Sequence, residues 1–155
     1  QDGITALAQG VDGSPRQLVK ALKSDPQTLI LGTSSFWEGV DIPGEHLSLL
    51  VIARLPFNVP TDPVFAARSE AYDDSFAEYA LPQAVIRFKQ GFGRLIRTKA
   101  DRGVFVVLDQ RIVSKQYGSA FLEALPHGCP IRQVVLRDLP GLVESFLAAP
   151  VVARP

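Results

Sequence analysis

Gln90, Arg94 and Arg97 recur at i, i+4 and i+7 in the stretch from Gln83 to Arg97, and Arg87 extends the series one turn earlier. If the stretch is helical, these side chains share one stripe. Guanidinium groups carry rigid forks of N–H donors, so a stripe of them suits phosphate. The plainer reading of the same residues is the solvated basic face of a surface helix, and spacing alone does not separate the two. Apolar Val85, Phe88, Phe92, Leu95 and Ile96 also recur at helical spacing. At about 100° per residue they fall roughly opposite the polar stripe. Pro82 stands just ahead, a good first residue for a helix. Gly91 and Gly93 interrupt the pattern. Each costs a helix about 1 kcal/mol relative to alanine, and close approach of another backbone or a ligand is the usual reason to keep one.

A second stretch, Gly32-Thr33-Ser34-Ser35-Phe36-Trp37-Glu38-Gly39-Val40-Asp41-Ile42-Pro43-Gly44, follows the short apolar run Thr28 to Leu31. In open α/β sheets, ligands bind outside the carboxyl ends of strands. Small residues there expose backbone N–H groups, and the Thr33, Ser34 and Ser35 hydroxyls can meet phosphate oxygens. Glu38 and Asp41 are spaced to face one partner, a cationic side chain or a ribose; local capping and turn chemistry would use them equally well. Phe36 and Trp37 are suited to stacking on bases or to filling the core beneath the loop.

Several chemistries are excluded. The sequence has no Gly-x-x-x-x-Gly-Lys-Ser/Thr to cradle a triphosphate and seat Mg²⁺. Gly91-x-Gly93 follows a helix pattern rather than a strand, so it is no dinucleotide fingerprint. No His, Asp and Glu have metal-ligand spacing, and His46 and His127 stand alone, with solvent-facing loops expected for both. Cys129, the one cysteine, rules out an internal disulfide and reads as a passive thiol between Gly128 and Pro130. Nothing in this set hydrolyses a phosphoanhydride alone.

The elements that must position these residues alternate. Strands are expected at Ile4 to Ala8, Thr28 to Leu31, Ser48 to Arg54, Gly103 to Asp109 and Ile131 to Leu136. Helices are expected at Arg16 to Lys23, from Asp62-Pro63 to about Tyr79, at Lys115 to Leu125 and at Gly141 to Ala148, besides the basic helix. The apolar strands suit the buried centre of a parallel sheet. Leu55 to Pro63 contains Pro56, Pro60 and Pro63 and must be extended and irregular. The pattern is α/β with a mostly parallel sheet flanked by helices, in a single domain over residues 1–155.

Net charge is zero, yet the charges are segregated. Arg87, Lys89, Arg94, Arg97, Lys99 and Arg102 cluster with Asp101 as the sole acid, while Asp62 to Glu78 is acidic. A local phosphate-binding patch is therefore permitted. No apolar run reaches the length of a membrane span, and no charged-then-apolar leader is present, so no membrane partner is expected. Single-cysteine usage fits a reducing, cytoplasmic compartment. A start at Gln1 rather than methionine fits a piece of a longer protein.

Gln90-x-x-Gly93-Arg94-x-x-Arg97, preceded by Gly32 to Gly44, resembles motifs VI and V of superfamily 2 helicases. The Phe36-Trp37-Glu38-Gly39-Val40-Asp41 wording, Leu55-Pro56-Phe57 and Asp109-Gln110-Arg111 are similar to the DinG/XPD branch, and the likeness covers roughly residues 5 to 125. It implies a RecA-like domain, the second motor of an ATP-driven 5′-to-3′ DNA helicase. By that resemblance Arg94 and Arg97 would reach the γ-phosphate of ATP, bound with Mg²⁺ mainly by the first motor domain, and Gln90 would orient the same group. Gly93 would admit the partner domain. Glu38 and Asp41 would link nucleotide state to DNA, and Gly32, Thr33, Ser34 and Trp37 would meet single-stranded DNA.

The family's preceding strand and motif are not in this sequence, which suggests an uncovered sheet edge. A non-catalytic phosphate- or nucleic-acid-binding module with the same fold is the alternative. It would need only positive charge.

Overall fold

The computed structural model describes residues 3–33, 36, 42, 46–98 and 101–149. Strand β1 (Thr5–Ala8) pairs in parallel with β2 (Thr28–Leu31), Thr5 opposite Thr28. Helix α1 (Pro15–Ser24) connects them. Ser14 precedes it, and the Ser14 amide and hydroxyl both donate to Gln17 Oε1 at 2.8 Å. The sequence supplies the standard signals here, a capping serine and proline in the first turn. Leu18, Val19 and Leu22 are buried with Phe36 and Ile42, against Leu7, Ile30 and Leu47.

The second half of the core is larger. Strand β3 (Leu49–Ile52) pairs in parallel with β4 (Val104–Val107), Leu49 opposite Val104. Helix α3 (Leu81–Leu95) packs on both. Its buried stripe is Ala84, Phe88, Gly91, Phe92 and Leu95; Val85 is only half-buried, and Ile96 lies past the helix end. Phe88 meets the rings of Phe105 and Phe121 edge-on at 5.1 and 5.3 Å. Phe57 meets Phe121, Tyr117 and Phe76 at 5.8, 5.6 and 5.8 Å. Ile52, Leu55, Ala84, Phe88, Ile112 and Phe121 close this cluster.

The architecture is mixed α/β with parallel strand pairs and flanking helices, in keeping with a RecA-like domain. Five expectations change in detail. Among the described residues the sheet is two parallel pairs rather than one continuous sheet. Its strands are not buried on both faces, for Leu29, Leu31, Leu49 and Val51 are exposed while Ile52 points into the core. The expected helix from Asp62 to Tyr79 is broken into α2 (Pro63–Ser69) and a π-helical turn (Ser75–Ala80) running into α3. Asp74 explains the break: its carboxylate accepts the Phe76 and Ala77 amides at 3.1 and 3.0 Å and starts a new segment. The wide turn precedes Pro82, which has no N–H to continue an α-helical ladder.

The helix expected at Lys115 to Leu125 is shorter, α5 (Gly118–Glu123), and a separate helical turn not expected from the sequence, α4 (Arg111–Ser114), precedes it, with Lys115 extended between them. Gly118 permits their approach, since a Cβ there would lie 2.1 Å from the Ile112 carbonyl oxygen. The strand expected at Ile131 to Leu136 is absent. The run is irregular until a 3₁₀ turn (Leu136–Asp138) that leads into α6 (Leu139–Ala148). Apolar β-branched composition marks strand aptitude, but a strand exists only with a partner. Ile131, Val134, Val135 and Leu136 are exposed.

Candidate functional site

Helix α3 turns Gln83, Ile86, Arg87, Gln90 and Arg94 outward, where they line a shallow groove of about 390 Å³. The two-stripe pattern thus folds as its periodicity requires, with the phenylalanines inside and the guanidinium groups outside. Arg87 Nη1 donates to Asn58 Oδ1, so one guanidinium of the groove is anchored to the proline-rich loop after β3. Gly93 is exposed, and a Cβ built there meets nothing within 4 Å. This domain's own packing therefore does not require glycine at that position.

Arg97 is not on the helix. The helix closes at Leu95, and Ile96 is extended with φ −123° and ψ 104°. The i, i+4, i+7 stripe consequently ends at Arg94, and Arg97 begins a turn. β-branched Ile96 beside Gly91 and Gly93 gives the helix a weak last turn, which the spacing of polar residues does not reveal. Asp101 holds the turn: its Oδ2 accepts the Arg97 amide at 2.7 Å and the Thr98 amide at 2.8 Å. These two backbone N–H groups hold the Asp101 carboxyl below its ordinary pKa, chiefly through Thr98 and then Arg97.

The basic cluster is more divided than its sequence suggests. Arg102 donates to the Phe146 and Ala149 carbonyls and lies 4.5 Å over the Phe146 ring. It caps the carboxyl end of α6, where orphan carbonyls favour a cation. In the acidic stretch, Asp62 accepts the Phe65 amide at 2.8 Å, and Asp74 caps as described.

At the end of β4, Asp109 gathers the chain. Its carboxylate accepts the Leu55 amide at 2.9 Å, the Arg111 amide at 3.0 Å and two guanidinium nitrogens of Arg111, the closest at 2.6 Å. The Arg111 guanidinium holds the carboxyl well below the usual carboxylate range, with the Leu55 and Arg111 amides adding to it against the effect of burial. Arg111 also lies 5.6 Å from the Phe57 ring centroid. Asp109-Gln110-Arg111 is therefore a structural clamp on Leu55-Pro56-Phe57. Ala53, Arg54, Leu108 and Gln110 open a concavity of about 330 Å³ beside it.

The second stretch is described in part. Gly32 and Thr33 follow β2 at its carboxyl end, and the Thr33 amide and hydroxyl donate to Gln9 Oε1 at 3.0 and 3.2 Å. Phe36 is 7% exposed and belongs to the core around α1, which decides between its two readings in favour of packing. Ser34, Trp37, Glu38 and Asp41 lie outside the described residues. His127 is exposed, whereas His46 is half-buried rather than solvent-facing. Cys129 is half-buried and forms no disulfide. Among the described residues no group of three or more His, Cys, Asp or Glu is placed to hold a metal ion. No helix of the described residues is long and apolar enough to cross a membrane.

The structure thus brings Gln90 and Arg94 together in one groove, adds Arg87, and sets Arg97 on the adjoining turn. Sequence reasoning missed Asn58 and Asp101 as the groups that hold Arg87 and Arg97. For Asp101 a signal existed: it is the lone acid in the basic segment. For Asn58 there was none, because its partner is 29 positions away.

Comparison with known proteins gives this geometry a family. The family model described as "Helicase C-terminal domain" matches residues 1–128. The ATP-dependent DNA helicase YoaA of Escherichia coli is 48% identical over 151 residues, 95% of this chain and 23% of that protein. The 3'-5' exonuclease DinG of Bacillus subtilis is 46% identical over 129 residues, 80% of this chain and 14% of that protein. The ATP-dependent helicase DinG of Mycobacterium tuberculosis is 42% identical over 124 residues, 77% of this chain and 18% of that protein. The chain therefore spans less than a quarter of the length of these curated relatives. With the match running over residues 1–128 and these identities along most of its length, the chain belongs to the helicase C-terminal domain family, in its DinG/YoaA-type branch.

Proposed function

We propose that residues 1–155 form the second motor domain of an ATP-dependent 5′-to-3′ DNA helicase, acting in trans on a nucleotide held by a first RecA-like domain of the same full-length protein. The observation that carries this reading is the outward groove of Arg87, Gln90 and Arg94 beside an exposed Gly93 with open space above it. An isolated basic surface would gain helix stability from alanine at that position. Glycine there suits a second body approaching closely.

In this reading Arg94 and Arg97 meet the γ-phosphate from the side opposite the triphosphate cradle. Charge spreads over the equatorial oxygens as the phosphoryl group transfers, and fixed guanidinium donors stabilise it. Gln90, one helical turn from Arg94, orients the same group through its amide. Mg²⁺, when bound, neutralises phosphate charge, and its ligands are assigned to the first motor domain. Gly32 and Thr33 at the carboxyl end of β2, together with Ser34 and Trp37 of the same sequence stretch, take single-stranded DNA, with backbone contacts dominating. Glu38 and Asp41 pass the nucleotide state to that contact. By itself the chain turns over no ATP, and its compartment is the cytoplasm.

The test is the double substitution Arg94→Lys and Arg97→Lys in the full-length protein. Lysine keeps the charge and loses the bidentate fork. Loss of DNA-stimulated ATP turnover supports the motor reading. Turnover within a few-fold of wild type supports the alternative, a non-catalytic nucleic-acid- or phosphate-binding module, which needs only the charge.

A further inference from the structure

A helix fixes the direction of every side chain it carries, and Arg94 is fixed that way. Arg97 is not, because the helix has already closed at Leu95 and Ile96 is extended. An exposed arginine two residues past a helix end needs another constraint on its backbone before it can present its guanidinium in one place. The structure contains one. Asp101 Oδ2 accepts both the Arg97 and the Thr98 amides, at 2.7 and 2.8 Å, lengths proper to charge-assisted bonds. The Asp101 amide returns a bond to the Thr98 carbonyl at 3.2 Å and closes the turn from the other side.

The acceptor itself is anchored. Two residues on, Gly103 lies under α3, where a Cβ would fall 2.4 Å from Leu95 Cδ1 and 3.1 Å from the Ser48 carbonyl oxygen. Val104 then donates to that same Ser48 oxygen at 2.9 Å and enters β4. Arg102, between them, is bound to the end of α6. Asp101 therefore projects from a segment fixed to the sheet, to the helix and to α6, and transmits that fixity to the backbone of Arg97.

We propose that Asp101 is a positioning residue for phosphoryl transfer, acting through Arg97: it fixes the backbone from which that guanidinium is delivered to the nucleotide. The proposal rests on the motor reading above and adds a residue to it. In this role Asp101 touches the nucleotide only through Arg97: it supplies a fixed oxygen to two N–H groups. Misplacement of a catalytic group by about 1 Å can cost 10²-fold in rate, so the effect belongs in kcat rather than in ATP affinity.

The experiment is a double-mutant cycle in the full-length protein with ATP and single-stranded DNA, using Asp101→Ala, Arg97→Ala and both together. Melting temperature is measured for each. Asp101→Ala is expected to lower kcat by about 10- to 10²-fold with little change in KM for ATP. The double variant is expected to be no slower than Arg97→Ala alone, because Asp101 has nothing left to position. Asp101→Asn keeps an oxygen acceptor and is expected to recover part of the rate. If the two losses multiply, or if Asp101→Ala melts normally and turns over at the wild-type rate, Asp101 is not a positioning residue. If Asp101→Ala melts too low to assay, Asp101→Leu, which likewise removes the acceptor, carries the cycle with the same two outcomes. If Arg97→Ala itself leaves kcat unchanged, it is the motor reading that fails, and the two failures are thereby told apart.

Discussion

The carboxylate of Asp109 accepts the backbone N–H of Leu55 at 2.9 Å, across 54 positions of sequence. Leu55 is 4% exposed, so this amide has little access to water. One side chain at the end of β4 thus fixes where the chain leaves β3. It also fixes where Asn58, and through it Arg87, come to lie.

Asp109→Ala should therefore destabilise the domain by about 1–3 kcal/mol, the cost of leaving a buried N–H unsatisfied. For a chain of this length that lowers the melting temperature by roughly 2–4 °C per kcal/mol. Asp109→Asn retains an acceptor and should fall between the variant and the wild type. Melts of all three proteins decide it, and equal melting temperatures would contradict the clamp.

The same carboxylate sets a pH dependence. Its folded pKa is depressed below the unfolded value of 3.8, so at low pH the unfolded chain binds the proton more readily than the folded one. The contribution of Asp109 is complete above about pH 4 to 5. It is lost progressively as pH falls from there towards the folded pKa. Acid titration of stability should show a steeper decline for wild type than for Asp109→Asn below about pH 4, and parallel curves near neutrality.

Two glycines should respond in opposite ways. A Cβ at Gly118 falls 2.1 Å from a backbone oxygen, which cannot swing aside, so Gly118→Ala should cost about 3 kcal/mol or more. A Cβ at Gly93 meets nothing within 4 Å, so Gly93→Ala should stabilise the isolated chain by up to about 1 kcal/mol. In the full-length protein the same Gly93→Ala should slow ATP turnover if a partner domain closes on that face. Thermal melts and a steady-state ATPase assay read the two effects separately. Undiminished turnover would mean that the space above Gly93 holds only water.

Arg97→Ala should cut kcat in the full-length protein by about 10³-fold or more, the scale of an arginine finger. Arg97 is exposed, so stability should change by no more than a surface substitution allows, about 0.5 kcal/mol, a shift of roughly 2 °C or less in melting temperature. Ground-state ATP affinity should change much less than kcat. A variant that melts normally and hydrolyses ATP within a few-fold of wild type would make Arg97 a surface charge.

Local regularities were legible in the sequence because they depend on near neighbours. Ser14-Pro15 starts α1, Asp62-Pro63 starts α2, and the Phe88, Phe92 and Leu95 stripe faces inward on α3. What could not be read depends on distant partners or on competition between nearly equal local choices. Residues 131–135 have strand composition, but pairing decides and no strand forms. Asp74 competes for amides that a longer helix would otherwise use. Arg97 fits the helical spacing of Gln90 and Arg94, yet the carboxylate of Asp101 draws its amide into a turn. In the candidate site, residue types were readable and backbone directions were not. The Phe36 reading needed the fold, since an aromatic after a strand serves a core as readily as a ligand.

Arg102 binds the last carbonyls of α6 while its neighbour Asp101 binds the amides of Arg97 and Thr98. Consecutive residues of one short segment thus tie the end of α6 to the turn that follows α3. The two should open to solvent together rather than separately, as one cooperative unit. Hydrogen exchange at the Arg97 and Thr98 amides would then follow fraying of α6, and Arg102→Ala would accelerate exchange at both places at once. A helix remote in sequence from Arg94 and Arg97 would thereby govern how long they stay in register.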